Sequence, residues 1–139
     1  RDTYENIIAM NSYTLNHIHI SYIKRAHLTS IKFAKEISEF DACKFTECYF
    51  KGFSAPFVKQ SDIKIGMRLK EVVRLKSSES KLIVGEVHCL SLKDKFLEND
   101  FTLNIEKSHT ASVSGLNHYY TNMKVKSFPY ARINNISEI

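Results

Sequence analysis

The most regular pattern of apolar and polar positions lies between residues 63 and 75. Apolar side chains recur at every second position and mainly basic ones stand between them; the apolar set is Ile63, Ile65, Met67, Leu69, Val73 and Leu75, and the basic set is Lys64, Arg68, Lys70 and Arg74. Glu71 is the exception, because it falls on the apolar side. A period of two over this length predicts a long β-strand with one face against a core.

A second strand is predicted over residues 81–92, after the polar turn Ser77-Ser78-Glu79-Ser80. Two long strands joined by a short polar turn indicate an antiparallel hairpin of the length found in barrels. The second strand is rich in β-branched residues and nearly continuous in its apolar character. We therefore expect it to be buried on both faces.

Shorter elements surround this hairpin. Asp2 or Thr3 can cap a helix that stops at Asn11-Ser12, and alternation predicts a strand over 12–18. We expect a short helix over 21–28, a helical turn over 39–44 within an irregular segment 29–57, and a last strand over 117–126. These elements predict a single domain over 1–139 that is mainly β with short helices.

Composition narrows the class of protein. The 139 residues fit one domain, and 43% hydrophobic and 25% charged residues are ordinary for a globular chain. The sequence contains no apolar run near the ~20 residues that a membrane-spanning helix needs, and it opens without a secretory signal pattern. The first residue is not Met. We expect a cytoplasmic protein with no membrane partner, of which this chain is the downstream part.

The charge pattern argues against a nucleic-acid partner. The net charge is +5, from 20 Lys+Arg against 15 Asp+Glu, but the basic residues are scattered and form no dense stripe or known nucleic-acid motif. A basic nucleic-acid module therefore remains only a competing hypothesis, which steeply salt-dependent oligonucleotide binding would support. A basic surface can also attract phosphorylated small molecules, and this is the interpretation we favour.

Cysteine and histidine do not form a metal-binding pattern. Cys43, Cys48 and Cys89 include no Cys-x-x-Cys pair, so we expect buried, reduced thiols. His17 and His19 would share one face of a strand, an arrangement that can bind zinc, but no third ligand follows nearby. We therefore expect no metal.

The segment Ser114-Gly115-Leu116-Asn117-His118-Tyr119-Tyr120 places two aromatic rings directly after a turn. Glycine favours the turn, and two phenol rings can wall a flat ligand pocket. Tyr-rich strands are also common in cores, so the segment alone leaves both interpretations open.

Several segments, in matching order, resemble the flavin reductase-like family of FMN-binding split barrels. The first seven residues are similar to the family's Lys/Arg-Asp-Thr-x-x-Asn-Ile segment. The resemblance continues almost to the end of the chain through His27–Phe33, Ser38–Asp41, Phe45-Thr46, Gly52–Val58, Gly85–His88, Ser114–Tyr120 and Phe128–Arg132. The chain looks closest to a subgroup of this family whose C-terminal end reads Phe-Pro-Tyr-Ala-Arg-Pro, although this chain has Ile133 in place of the last Pro. His88 is equally compatible with a neutral core residue or a ligand contact.

The resemblance implies part of a split β-barrel that binds FMN. It implies that the first segment lies near the FMN phosphate and the second beside the flavin, with Tyr119 or Tyr120 in the pocket wall. The implied cofactor-binding residues are Arg1, Asp2, Thr3, Asn6, His27, Thr29, Ser30, Tyr119 and Tyr120. A cation, a hydroxyl and free helix N–H groups together suit a phosphate. No residue suggests itself as a catalytic acid, base or nucleophile.

The resemblance also implies a function and an assembly. It implies a homodimer with FMN near the subunit interface, in which electrons pass from NAD(P)H or a redox protein through FMN to an acceptor. The alternative is a non-enzymatic split barrel that binds flavin or dimerises. The family's N-terminal strands, with a Ser-Phe-Phe-type segment against the flavin ring, have no counterpart here. We therefore expect the chain to be the C-terminal portion of such a barrel.

Overall fold

The computed structural model describes residues 2–133 of the chain. It contains three short helices, α1 (Asp2–Met10), α2 (Ile23–Leu28) and α3 (Glu39–Ala42). Its seven strands are β1 (Ser12–Asn16), β2 (Glu47–Cys48), β3 (Phe57–Val58), β4 (Lys64–Arg74), β5 (Lys81–Ser91), β6 (Ala111–Ser114) and β7 (His118–Thr121). The described chain is mainly β with short helices, as the sequence predicts, and its sheets are not closed.

The strands form three antiparallel sheets. The largest has the order β1-β4-β5, while β2 pairs with β3 and β6 pairs with β7. The long hairpin β4–β5 is confirmed, and β1 lies on its other side with Tyr13 opposite Met67. The predicted helices over 2–10 and 21–28 are also confirmed, although Asp2 and Thr3 lie inside the first turn of α1.

Two irregularities interrupt the β4–β5 pairing. Leu69 pairs with Gly85 and Glu71 with Val84, so Lys70 is an extra residue on β4. Such a bulge resets the alternation of faces, which is why Glu71 is exposed and Val72 half-buried. The simple alternation predicted through Leu75 is therefore wrong beyond Leu69. A second shift lies between Gly66 and Met67 and leaves His88 as the extra residue on β5.

The prediction that the second strand is buried on both faces is wrong. β5 is an edge strand, and its apolar side chains are largely exposed: Leu82 55%, Val84 39%, Val87 60% and Leu90 57%. A run of β-branched and apolar residues reports preference for extended structure but not which neighbours cover it. In the described chain only β4 pairs with this strand.

The packed centre is an aromatic cluster rather than a layer between two sheets. Phe53, Ala55 and Phe57 are buried, and Phe57 stacks on Phe50 at 4.3 Å between ring centroids. The cluster covers the sheet where Gly66 lies, because a Cβ there would stand 3.1 Å from Phe53 Cζ and Phe57 Cζ. The opposite face is filled by Met67, which is 8% exposed. Residues of β4 are thus covered on both faces at this point.

The tyrosine segment forms a second hairpin. Gly115 has φ +60° in the turn between β6 and β7, and this left-handed conformation is one that glycine adopts without steric cost. Val113 pairs with Tyr119 and Ser112 with Tyr120. The last predicted strand is confirmed, but it ends at Thr121 rather than at residue 126.

Candidate functional site

A cleft of about 480 Å³ opens between the first turn of α1 and the loop that follows α2. Four of the residues that the resemblance assigns to FMN line it: Asp2, Thr3, Asn6 and Thr29. The volume falls within the range of roughly 300–1,000 Å³ that is usual for small-molecule and cofactor sites. The fold therefore brings together residues of α1 and Thr29, which are separated by more than twenty positions in the sequence.

Helix α1 reaches this cleft because Ile7 anchors it. Ile7 is its buried residue, and Asn11 N–H donates to the Ile7 carbonyl where the helix ends. Asp2, Thr3 and Asn6 are exposed, and within the described residues the Thr3 and Asn6 side chains make no hydrogen bond. The free N–H groups of a helix's first turn attract anions. This end of the cleft is thus open to a phosphate.

The charge of the lining is mixed. Lys32 and Lys35 are its cations, and four carboxylates also line the cleft: Asp2, Glu36, Glu39 and Glu47. Lys35 pairs with Glu5 at 3.5 Å, whereas Lys32 has no ion pair within residues 2–133. The cleft as a whole is not cationic. An anionic group would have to bind through Lys32, Thr3 and the α1 amides rather than through a general positive field.

The other predicted site residues form a separate contact. His27 Nδ1 lies 3.2 Å from the Tyr119 hydroxyl, and the two rings meet edge to face at 5.8 Å between centroids. Ser30 is exposed, and its hydroxyl donates to the His27 carbonyl at 2.8 Å. This pair joins the end of α2 to β7. His27, Ser30 and Tyr119 therefore lie together, but outside the lining of the cleft.

Tyr120 and Arg1 complete the predicted set. Tyr120 is 55% exposed on the opposite face of β7 from Tyr119. Arg1 lies outside the described residues, so its predicted phosphate contact stays a prediction. The pocket-wall role of the two tyrosines also stays a prediction, since neither is among the residues that line this cleft.

A second cleft of about 360 Å³, which the sequence did not indicate, adjoins the first. Thr29, Glu39 and Phe40 line both clefts. The second is walled by aromatic and aliphatic side chains from several elements, with His17 among its polar residues; the apolar walls are Ile18, Tyr22, Phe40, Phe45 and Val58. The sequence signal that could have indicated this cleft is that His17, which follows β1, has apolar neighbours along the chain.

The two histidines that could form half of a zinc site bind other side chains. His17 Nδ1 contacts the Thr110 hydroxyl, while His19 Nδ1 contacts the Ser21 hydroxyl at 2.8 Å. Within the described part of the chain, no three His, Cys, Asp or Glu side chains are grouped as metal ligands. His88 is exposed, accepts from Arg68 and stacks on Phe53, so its interpretation as a core histidine is wrong.

The cysteines are free thiols, as predicted, but the prediction that they are buried is right only for Cys43, because Cys48 and Cys89 are partly exposed. Burial, followed by the nearby Glu39 carboxylate, raises the pKa of the Cys43 thiol. A thiol with a raised pKa is a poor nucleophile at neutral pH. No cysteine is among the residues that line either cleft. None of the described helices is long and apolar enough to cross a bilayer.

Solved structures with the same fold were found over nearly the whole chain. A candidate flavin reductase with a split barrel domain from Shewanella frigidimarina NCIMB 400 is 36% identical, with a TM-score of 0.91 over 94% of this chain and 66% of that one. Nitrilotriacetate monooxygenase component B from Bacillus cereus is 21% identical, with a TM-score of 0.80 over 92% and 65%. Flavoredoxin of Desulfovibrio vulgaris (Miyazaki F) is 17% identical, with a TM-score of 0.77 over 93% and 68%.

Sequence comparison alone is less informative. An uncharacterized protein of Aquifex aeolicus (strain VF5) is 22% identical over 107 residues, which cover 77% of this chain and 54% of that protein. No protein-family model matches the chain. The chain thus spans about two thirds of the length of the solved structures and about half of this curated relative. The structural matches confirm the split-barrel fold that the sequence motifs predict.

Proposed function

This chain is a flavin reductase-like split barrel, and we propose that it binds FMN and belongs to a flavin-dependent oxidoreductase. The observation that carries the proposal is the meeting of Asp2, Thr3, Asn6 and Thr29 at one cleft. The family resemblance implies flavin contacts for the same four residues. Flavoredoxins and flavin reductases among the solved structures support the same class of chemistry.

The cleft fits FMN in its size and in its polar groups. The Thr3 hydroxyl, the Lys32 ammonium and the first-turn amides of α1 suit a phosphate. Pro56 and Phe40 supply apolar lining. The mixed charge of the rim means that the phosphate would be held by directed hydrogen bonds rather than by a broad basic patch.

Bound FMN would supply the ability to accept a hydride and to release electrons singly or in pairs. The protein's residues would anchor and orient it. Thr3 and Asn6 are placed to donate hydrogen bonds from the α1 end, and Thr29 stands at the junction with the second cleft. The Thr29 hydroxyl already donates to the Ala26 carbonyl at 2.7 Å, so it is left as an acceptor.

We expect the flavin-loaded protein to be reduced by NADH, NADPH or a reduced redox protein. The test is anaerobic mixing with each donor while the visible absorbance of oxidised flavin is followed, with dithionite as the positive control. Bleaching by a biological donor within the mixing experiment supports the oxidoreductase. Bleaching by dithionite alone would instead support the alternative, a split barrel that holds flavin without passing electrons on.

A cytoplasmic homodimer is part of the same proposal. The exposed apolar side chains of β5, notably Val87 and Leu90, support it, because monomers seldom leave so much apolar edge-strand surface in water. Light scattering on the purified protein should give the mass of two chains. A monomer at micromolar concentration would contradict the homodimer without affecting the flavin assignment.

A further inference from the structure

The inference concerns the second cleft, which the proposed function leaves without a ligand. Nearly all of its polar side chains are already bonded within the protein. The Tyr22 hydroxyl donates to the His17 carbonyl at 3.0 Å, and the Thr14 hydroxyl donates to the Pro56 carbonyl at 2.7 Å. Ser61 likewise donates to backbone carbonyls. Such groups shape the cleft but offer few free hydrogen bonds to a ligand.

The Asn16 side chain is likewise hydrogen-bonded within the protein. Its Oδ1 accepts from Val58 N–H at 3.1 Å, and its Nδ2 donates to the Thr14 hydroxyl at 2.9 Å. Two polar groups in the lining remain without a hydrogen bond within residues 2–133: His17 Nε2 and the Glu39 carboxylate. Whether His17 Nε2 donates a hydrogen bond to a ligand or accepts one depends on which nitrogen of His17 carries the proton.

A chain of hydrogen bonds fixes that proton. The buried Ser108 hydroxyl donates to the Ile105 carbonyl at 3.0 Å, which uses its one hydrogen. Ser108 must therefore accept at its 2.9 Å contact with the Thr110 hydroxyl, so Thr110 is the donor there. With its own hydrogen used, Thr110 can only accept from His17 at 3.2 Å. His17 thus carries its proton on Nδ1, and Nε2 keeps a lone pair.

Burial keeps this ring neutral. His17 is half-buried, and burial lowers its pKa. The titratable groups nearby in the lining and along the chain are Glu39, Tyr22 and His19. At neutral pH the lining of the cleft therefore includes two acceptors, an uncharged imidazole nitrogen and the carboxylate of the exposed Glu39, together with the aromatic rings of Phe40 and Phe45.

We propose that the second cleft binds a small ring compound, uncharged or cationic, through an O–H or N–H donor to His17 Nε2. His17 Nε2 and the Glu39 carboxylate are both acceptors, so they select a ligand that brings a donor. The Glu39 carboxylate disfavours anionic compounds at the same cleft, and the aromatic walls favour a flat ring. Thr110 is a positioning residue, since it acts through the His17 ring. The proposal does not rest on flavin binding.

The tautomer can be tested before any ligand is added. Long-range ¹H–¹⁵N NMR of the purified protein should show His17 protonated on Nδ1 with Nε2 bare. Thr110→Val should move a measurable fraction of the ring to the other tautomer, whereas Thr121→Val on β7, where the side chain is exposed, should not. A His17 ring that is protonated on Nε2 in the unaltered protein would overturn the proposal.

The probe for binding is phenol, with anisole as the matched compound that lacks the donor. We expect phenol to shift the His17 Nε2 resonance saturably and to bind at least about tenfold more tightly than anisole. His17→Phe should abolish that preference while circular dichroism shows the fold intact; His17→Gln, which keeps an acceptor, should retain part of it. Equal binding of the two compounds, or a preference that survives His17→Phe, would overturn the proposal.

Discussion

Phe57→Ala should destabilise the protein by about 3–5 kcal/mol, the range for truncating a buried Phe. Phe57 is fully buried and contacts two other rings, Phe50 at 4.3 Å and Phe53 at 5.3 Å between centroids. Its removal leaves a cavity under Gly66, where the largest sheet has no side chain of its own to fill the space. Urea unfolding followed by circular dichroism measures the loss as a change in midpoint at constant slope.

The matched control is Phe101→Ala. Phe101 is 84% exposed, so the same truncation there should change the free energy of unfolding by less than about 0.5 kcal/mol. If Phe57→Ala cost no more than Phe101→Ala, the aromatic cluster would not be the centre of the fold.

Gly85→Ala should destabilise the protein by about 1–3 kcal/mol through overpacking. A Cβ at this position would lie 2.2 Å from Tyr13 Oη, 2.9 Å from Tyr13 Cζ and 3.2 Å from Met67 Cε. The ring of Tyr13 comes from β1 and crosses β4 to reach β5, so it has little room to withdraw. Gly85 is therefore required for close approach, and not for an unusual backbone angle.

Tyr13→Phe should partly rescue Gly85→Ala, because it removes the atom that lies 2.2 Å away and leaves the one at 2.9 Å. A double-mutant cycle measured by thermal unfolding should give a coupling of at least about 0.5 kcal/mol between the two positions. Strict additivity of the two substitutions would show that Tyr13 does not contact Gly85.

The sequence predicted the long hairpin because a period of two depends on neighbouring residues alone. The sequence could not predict the bulge at Lys70, although the placement of Glu71 at an apolar position was a sign of it. It also overestimated the burial of β5, because edge position depends on which strands pair and not on composition. The local pattern of apolar and polar residues specified the strands and helices, whereas the burial of their faces was set by contacts between residues distant in the sequence.

The candidate site was likewise predictable only in part from the sequence. Asp2, Thr3, Asn6 and Thr29 were predicted from motifs, and their meeting at one cleft follows from the fold. The sequence presents His17 only as half of a possible zinc pair with His19. Its actual environment depends on Thr110 and Ser108, more than ninety residues away. No local pattern encodes a hydrogen-bond chain of that span.

Equilibrium titration of the purified protein with FMN, followed by flavin fluorescence, tests the central claim most directly. We expect saturable binding of one FMN per chain. The double variant Thr3→Val/Asn6→Ala should bind at least about tenfold more weakly, since hydrogen bonds to charged groups contribute about 1.5–3 kcal/mol each. Thr121→Val, an exposed Thr away from both clefts, should bind as the unaltered protein does. Absence of saturable binding, or equal affinity in the double variant, would contradict the account.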